Sequence, residues 1–349
     1  MIVRFIPTIL TRNPYLELLA TALAEQGVAV HRASFRYLTP AWLFRHRRDV
    51  HVIHLHWFHN YHQRRSLLLS ALGAAYLAAL LRLARRLGYG LVWTVHNLQP
   101  HERYHPRLDD WLSRLVLRLA VPIVHCRAAG DALREAFGYT GPVQVVPHGN
   151  YVGAYPPPAQ AKREARARLG LPGDALIFLH AGVIRAYKGV PALVRQFARL
   201  PAANAVLVVA GEEHGIDLRA ELAAELRDDE RIIVRSGWLP DEELALYLAA
   251  ADVAVTSFER VLTSGSVLLA MSSGLPVVAP ALGCIPEMVG EGGILYDPAD
   301  PDGLYQALLA ATTADLEALG RAAYEAALSQ TWAQTAAGVV EAYRRSRAY

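Results

Sequence analysis

The chain has 349 residues, 53% hydrophobic and 19% charged, which is too long for one typical domain and apolar enough for two buried cores. Its formal charge is only +3, but residues 1–150 hold 18 Arg and Lys against 8 Asp and Glu, and residues 151–349 hold 17 against 24, so the halves stand at +10 and −7. A basic first half implies an anionic partner, whether a membrane surface, a phosphorylated substrate or nucleic acid. The last is set aside because the basic residues are not interleaved with base-stacking aromatics in a recognisable module.

In chain order, the opening MIVRFIPTIL lacks the charged region, long apolar run and small-residue cleavage site of a secretory signal and reads as a first strand over 2–9. The loop after it, PTILTRNPYLELL (7–19), has no glycine; Pro14 suits the first turn of a helix, and Asn13 either caps that helix or joins Tyr15 in contacting a substrate. Strand-like runs follow at 28–34, 51–58, 91–96, 121–125 and 143–147, mostly separated by Leu- and Ala-rich helical stretches. Residues 64–87, RRSLLLSALGAAYLAALLRLARRL, hold about sixteen apolar or small residues between Arg64–Arg65 and Arg82, Arg85 and Arg86. That is short of the roughly 20 residues a bilayer span needs, which leaves a helix packed on a sheet or one lying in a membrane interface with its arginines on lipid phosphates. RHRRD at 45–49, just after Trp42 and Phe44, adds to the second reading.

YVGAYPPPAQAK (151–162) carries three consecutive prolines, which suit a stiff extended linker, and the domain boundary belongs there. Beyond it, runs at 175–182, 204–211, 231–234, 252–256, 275–279 and 293–296 repeat the strand-and-helix alternation. Two doubly wound α/β units follow, with ligands expected at the carboxyl ends of their strands in a cleft between them. Cys126 and Cys284, far apart and in apolar contexts, read as reduced core thiols of a cytoplasmic protein.

In FLHAGVIRAYKGVPALVRQF (178–197), Gly182 ends a buried strand, and Arg185 and Lys188 precede a helix. Two cations at such a turn can embrace a diphosphate with help from helix-terminal N–H groups, although two solvated surface cations would read the same way. Then come GWLPDEELALYLAAADVAVTSF (237–258), AMSSGLPVVAP (270–280), IPEMVGEGGILYDPADPDGLYQAL (285–308) and TWAQTAAGVVEAY (331–343), in order. On this set of motifs, residues 175–343 resemble the group-1, family-4-like glycosyltransferases of the GT-B fold.

The resemblance implies two Rossmann-like domains facing a central cleft: residues 1–155 on the acceptor side, 156–328 holding the nucleotide sugar, and a helix in 329–349 crossing back onto the first. It implies catalysis with no metal or other cofactor. Matched by position, Arg185 and Lys188 are the diphosphate pair beside Gly182, and Gly237 and Trp238 line the nucleobase pocket, although Trp238 also suits a plain core aromatic. Glu287 matches a frequent donor-side Glu, and helix N-terminal capping accounts for it equally well.

One loop departs from the family. The retaining pattern puts a Glu, seven residues and a second Glu before Ala-Met, but counting back from Ala270–Met271 those positions hold Val261 and Leu269. The second Glu ordinarily binds the nucleotide ribose, and a leucine accepts no hydrogen bond. In their place Thr263, Ser264, Gly265 and Ser266 offer hydroxyls and backbone N–H groups at a helix start, which is either an anion cradle or a simple Ser cap. Similar Ser/Gly-rich loops occur in inverting β-mannosyltransferases, and the whole chain resembles the xanthan-type GDP-mannose:glycolipid group.

An inverting displacement needs a base for the acceptor hydroxyl and stabilisation of the departing diphosphate. Twelve of fourteen histidines lie in the first half, and TVHNLQPHERYHP (94–106) gathers His96, Asn97, His101, Glu102 and His105 at a strand end. Glu102 is the first choice for the base, with His101 or His96 next, since a carboxylate in a partly dry cleft can titrate near working pH. A family histidine at the position of His96 commonly faces the donor sugar. HVIHLHWFHNYH (51–62) puts His54 and His56 on one strand face; His56 and Asn97, with Asn13 and Tyr15, are the acceptor-contact candidates. No Asp, Glu or Cys partner is placed for a metal among these histidines.

The resulting expectation is a glycosyltransferase, peripheral on the inner face of the cell membrane, that moves a sugar from a nucleotide donor to a polyprenyl- or other lipid-diphosphate oligosaccharide. GDP-mannose is favoured over UDP-sugars as donor. The basic first domain and helix 64–87 would meet the anionic membrane, and nucleic acid is not a partner. The alternatives are a retaining transferase using a UDP-sugar and a catalytically inactive glycan-binding subunit.

Overall fold

The computed structural model describes residues 1–7, 14–31, 38–100, 103–155, 162–223 and 225–348. They form two compact units, Met1–Gly149 with Gln330–Tyr349, and Asn150–Ser329.

The first unit holds β1 (Ile2–Ile6), β2 (Ala29–Val30), β3 (Val52–Leu55), β4 (Gly90–Thr94), β5 (Val121–Val124) and β6 (Gln144–Val145) in one parallel sheet of order β2-β1-β3-β4-β5-β6. Its central strands are mostly apolar because helices cover both faces, with Arg4, His54 and Thr94 buried among them. Helix Tyr15–Glu25 buries Tyr15, Leu16, Leu19 and Leu23, and helix Trp332–Ala348 packs against it with Ala336, Val339, Val340 and Tyr343 in the same core. Gly149 is dictated by this packing, since a Cβ there would collide with the Trp332 indole.

The second unit holds β7 (Leu176–Ala181), β8 (Ala205–Gly211), β9 (Ile232–Ser236), β10 (Val253–Val255), β11 (Val277–Pro280) and β12 (Gly293–Tyr296), again all parallel, in the order β12-β11-β10-β7-β8-β9. Phe178, Leu193, Val194, Phe197, Leu207, Val255, Val278 and Leu308 make up much of its core. Both sheets are α/β and doubly wound, as the strand spacing implies. Their strand order reverses between β1 and β3 and between β7 and β10, and the crevice outside the carboxyl ends at such a switch point is where open α/β sheets take ligands.

One expectation needs correction. Cys126 and Cys284 are buried, but neither is a free thiol. Of residues 64–87, Leu67–Arg86 form a helix of 20 residues, long and apolar enough by length and composition to cross a membrane. One face of it is core, with Ala74, Leu77, Ala78, Leu80, Leu81 and Ala84 buried. Its N-terminal end leaves Leu67, Leu68, Leu69 and Leu72 between 57% and 69% exposed, and Ser66 caps its start by accepting from the Leu69 N–H.

Candidate functional site

In the second unit, the carboxyl end of β7 carries Gly182 at φ +114°, followed by Arg185 and the single turn Ala186–Lys188. Gly189, at φ +62°, begins helix Val190–Ala198, and any side chain there would collide with the Ser257 carbonyl. That close approach brings the turn against the end of β10, where Ser257 Oγ donates to the Lys188 carbonyl at 2.9 Å. Lys188 is buried, with Nζ 5.8 Å from the Phe258 ring centre, and burial, helped by Arg185, pulls its pKa down to about 8. Arg185 is half-buried. A desolvated ammonium with no carboxylate hydrogen-bonded to it among the described residues is well suited to an anionic ligand.

Three buried polar atoms of this unit have no hydrogen-bond partner among the described residues: His180 Nε2, Thr256 Oγ1 and Thr263 Oγ1. His180 sits in β7 and its Nδ1 bonds the Val255 carbonyl at 3.1 Å; burial first, then Lys188, lowers its pKa to about 3, so it is neutral. The sequence reading missed His180 and Thr256. The signal available was a polar residue set among strand apolars in FLHAG and VAVTS.

Helix Gly265–Ser272 starts at the Thr263–Ser266 loop. Ser264 is its N-cap, accepting from the Val267 N–H at 3.3 Å, and Ser264 Oγ lies 3.1 Å from Ser266 Oγ. Ser capping is therefore real, and it leaves the first-turn N–H groups of Gly265 and Ser266 at the positive end of the helix dipole. Val261 and Leu269 stand where the family pattern has its carboxylates. Gly237 has φ +139° with open space where a side chain would be, and Trp238 beside it is 47% exposed, not a core aromatic. Glu287 is an exposed residue in the first turn of Ile285–Val289.

In the first unit, the carboxyl ends of four consecutive strands each deliver a histidine: His56 after β3, His96 after β4, His125 after β5 and His148 just beyond β6. With His54 they form a continuous buried row, ring centres 4.1 Å apart for His54–His56, 5.4 Å for His56–His96, 5.4 Å for His96–His125 and 5.0 Å for His125–His148. Tyr15 sits among them, 4.9 Å from His96 and 4.7 Å from His148, and Trp332 is 5.4 Å from Tyr15. His54 is tied to Tyr343 Oη and Thr94 Oγ1, both at 2.8 Å, and His125 Nδ1 to the Val146 carbonyl at 3.0 Å. Burial drives the pKa of every member down, to about 3 for His54 and His148, about 4 for His125 and well below 6.5 for His56 and His96. All five are neutral imidazoles at neutral pH.

Of the acceptor-side candidates, Tyr15 and His56 are thus buried within this row, and Asn97 is half-buried. Asn13, His101 and Glu102 lie outside the described residues. Among the described residues, no group of three or more His, Cys, Asp or Glu side chains is arranged to hold a metal ion.

Two parallel doubly wound sheets, one with a buried cation and a helix N-terminus at its switch point, define a GT-B-type transferase, and comparison with known proteins agrees. The family described as "Glycosyl transferases group 1" matches residues 175–313. A GDP-mannose:glycolipid 4-beta-D-mannosyltransferase from Xanthomonas campestris pv. campestris is 30% identical over 82% of this chain and 76% of its own. The chain belongs to the group 1 glycosyltransferases and is a glycosyltransferase. A D-inositol 3-phosphate glycosyltransferase from Nocardioides sp. is 37% identical over 59% of this chain, and the match spans only 49% of that relative. Among solved structures, sucrose-phosphate synthase from Thermosynechococcus elongatus superposes with TM-score 0.76 at 22% identity over 99% of both chains. WaaG, a glycosyltransferase involved in lipopolysaccharide biosynthesis, gives TM-score 0.68 at 15% identity, covering 98% of this chain and 99% of its own.

Proposed function

We propose that the enzyme transfers mannose from GDP-mannose to a lipid-diphosphate-linked oligosaccharide with inversion at the anomeric carbon. The observation that carries this reading is the helix start at Gly265. The carboxylate positions of the retaining pattern are Val261 and Leu269, and a capped helix N-terminus with a Ser/Gly turn takes their place, in a chain 30% identical to a mannosyltransferase whose name gives GDP-mannose and a glycolipid. Lys188 and Arg185 hold the diphosphate as it departs, joined by the N–H groups of Gly265 and Ser266. Thr256 and Thr263 hydroxyls offer hydrogen bonds to the same ligand. Gly237 and Trp238 border the nucleobase, and Glu287 meets the donor from its own helix start. Glu102 takes the acceptor proton and His96 faces the donor sugar, with Asn97, Asn13 and Tyr15 as acceptor contacts. No metal enters this scheme.

The acceptor's lipid end fits the first unit. Helix Leu67–Arg86 exposes Leu67, Leu68, Leu69 and Leu72, with Phe44 51% exposed nearby in sequence and arginines at both helix ends. Leucines inserted at headgroup depth and arginines on lipid phosphates would hold the enzyme on an anionic membrane face. A phosphorylated cyclitol acceptor is the second reading, favoured by the match to D-inositol 3-phosphate glycosyltransferases. The deciding experiment incubates the enzyme with GDP-mannose and either a lipid-diphosphate oligosaccharide or inositol phosphate, and reads the product by NMR. A β-linked mannoside on the lipid acceptor is expected; an α-linkage, or transfer only to the inositol phosphate, would overturn it.

A further inference from the structure

His56 and Trp57 follow β3, and His96 follows the adjacent β4, whose register pairs His54 with Val92 and Leu55 with Trp93. The backbone is pinned at both places: the His56 N–H donates to the Ile6 carbonyl at 2.8 Å, and the His96 N–H to the Thr94 carbonyl at 3.2 Å. The side chains then meet on three sides of one ring. His56 Nδ1 lies 3.1 Å from His96 Nε2, Trp57 stacks on the His96 face at 4.4 Å and 16°, and Tyr15 presents an edge at 4.9 Å and 88°. His56 itself is 2% exposed and is backed by Phe5 at 5.0 Å.

We propose that His56 is a positioning residue for His96: it occupies Nε2 of His96, fixes that imidazole as one tautomer, and leaves Nδ1 as the only His96 nitrogen able to meet substrate, while Trp57 clamps the ring plane. The chemistry follows from proton counting. Two neutral imidazoles whose nitrogens face each other at this distance share one hydrogen, which links their tautomers. His56 Nε2 is buried with no partner among the described residues, a place that suits a lone pair better than an N–H, so the shared hydrogen sits on His56 Nδ1 and His96 carries its own on Nδ1. A ring flip at His96 would leave buried nitrogens unpaired, which disfavours it. Removing the His56 nitrogen frees His96 to mix tautomers and to turn. The functional consequence rests on the reading of His96 as a residue facing the donor sugar; the ring assignment does not.

The test is long-range 1H–15N correlation on the full chain labelled with 15N-histidine, with His96 identified by loss of its signals in His96→Gln. Wild type should show one neutral His96 tautomer at pH 7. His56→Phe, which keeps a ring against Phe5 and removes the nitrogen, should show an averaged mixture, and His56→Asn, whose amide reaches the place of Nδ1, should restore one form. With GDP-mannose as probe, His56→Phe should lower kcat roughly 10²-fold, as expected of a displaced reacting group, with the donor KM changed by less than about twofold, and His56→Asn should recover most of the loss. A tautomer mixture in wild type, an unchanged tautomer in a folded His56→Phe, or undiminished kcat in that variant would overturn the proposal. Failure of wild type to turn over GDP-mannose would instead overturn the donor assignment, and the NMR comparison would still decide the role of His56.

Discussion

The two units share a parallel doubly wound sheet and use its carboxyl edge in opposite ways. The second unit brings a buried cation, backbone N–H groups and unpaired hydroxyls to the β7/β10 switch, a surface built to receive negative charge. The first, although it carries the excess of arginine, fills the ends of β3 to β6 with neutral imidazoles and keeps its charge elsewhere. Net charge therefore says little about which unit grips the diphosphate: formal charge near −7 in residues 151–349 is compatible with an anion site because one desolvated lysine outweighs many solvated carboxylates at close range.

The sharpest way to break this contrast is at Lys188. Lys188→Ala should lower kcat/KM for the donor by roughly 10² to 10³-fold, in the range expected for losing one charge-stabilising donor, with Lys188→Met separating charge from packing. Steady-state kinetics checks it, and equal activity of the Met variant would place the diphosphate elsewhere. Next in size is the exposed leucine face: Leu68→Asp and Leu72→Asp should each weaken flotation with anionic phosphatidylglycerol vesicles by about tenfold or more while leaving thermal unfolding unchanged, since each removes one leucine's burial. Unaltered flotation would return helix Leu67–Arg86 to a purely structural role.

The pH responses of the two units should have distinct signs. Lys188 has a folded pKa of about 8 against its ordinary 10.5, so the fold sheds that proton early and gains stability from this group as pH rises through that window. Donor affinity should move the other way, falling above pH 8 as the cation is lost. In the first unit, His54 and His148 at about 3 and His125 at about 4 bind protons less readily than the unfolded chain does at about 6.5. Their contribution to stability is complete above that value and is lost as pH falls toward 3. Urea midpoints between pH 7 and 4 measure it; a flat profile would mean the row is wetter than its packing shows. The smallest effect is expected at Gly265→Ala. Its new Cβ meets Tyr151 Oη at 3.2 Å, a contact that tightens the loop without unfolding it, so nucleotide affinity should fall by about tenfold while the melting temperature barely moves.

Most of the fold was legible in the sequence because buried parallel strands are short Val/Ile runs, and each of the twelve runs overlaps a strand. Lengths were overestimated at the edges of the first sheet: in the described part of 28–34 only Ala29–Val30 is strand, and in 143–147 only Gln144–Val145, where each strand has a single neighbour to pair with. The cluster around Lys188 could be read from local spacing, since Gly182, Arg185 and Lys188 lie within seven residues of one another. The histidine row could not. Its members span 95 residues from His54 to His148, and only the strand order β3-β4-β5-β6 makes them neighbours. His125 carried a signal that went unused, a histidine immediately after an apolar strand run, as in VIHLH, TVHN and VVPH. Burial of His56 was hidden for the same reason: a strand-end histidine looks exposed until the neighbouring strand is placed.

The central claim, that the second unit holds a guanosine diphosphate donor through Lys188, is tested most directly by calorimetric titration of GDP and UDP into wild type and Lys188→Met at pH 7. GDP should bind wild type more tightly than UDP and lose most of its affinity in the variant. Equal binding of GDP to both proteins, or no binding of either nucleotide to wild type, would contradict it.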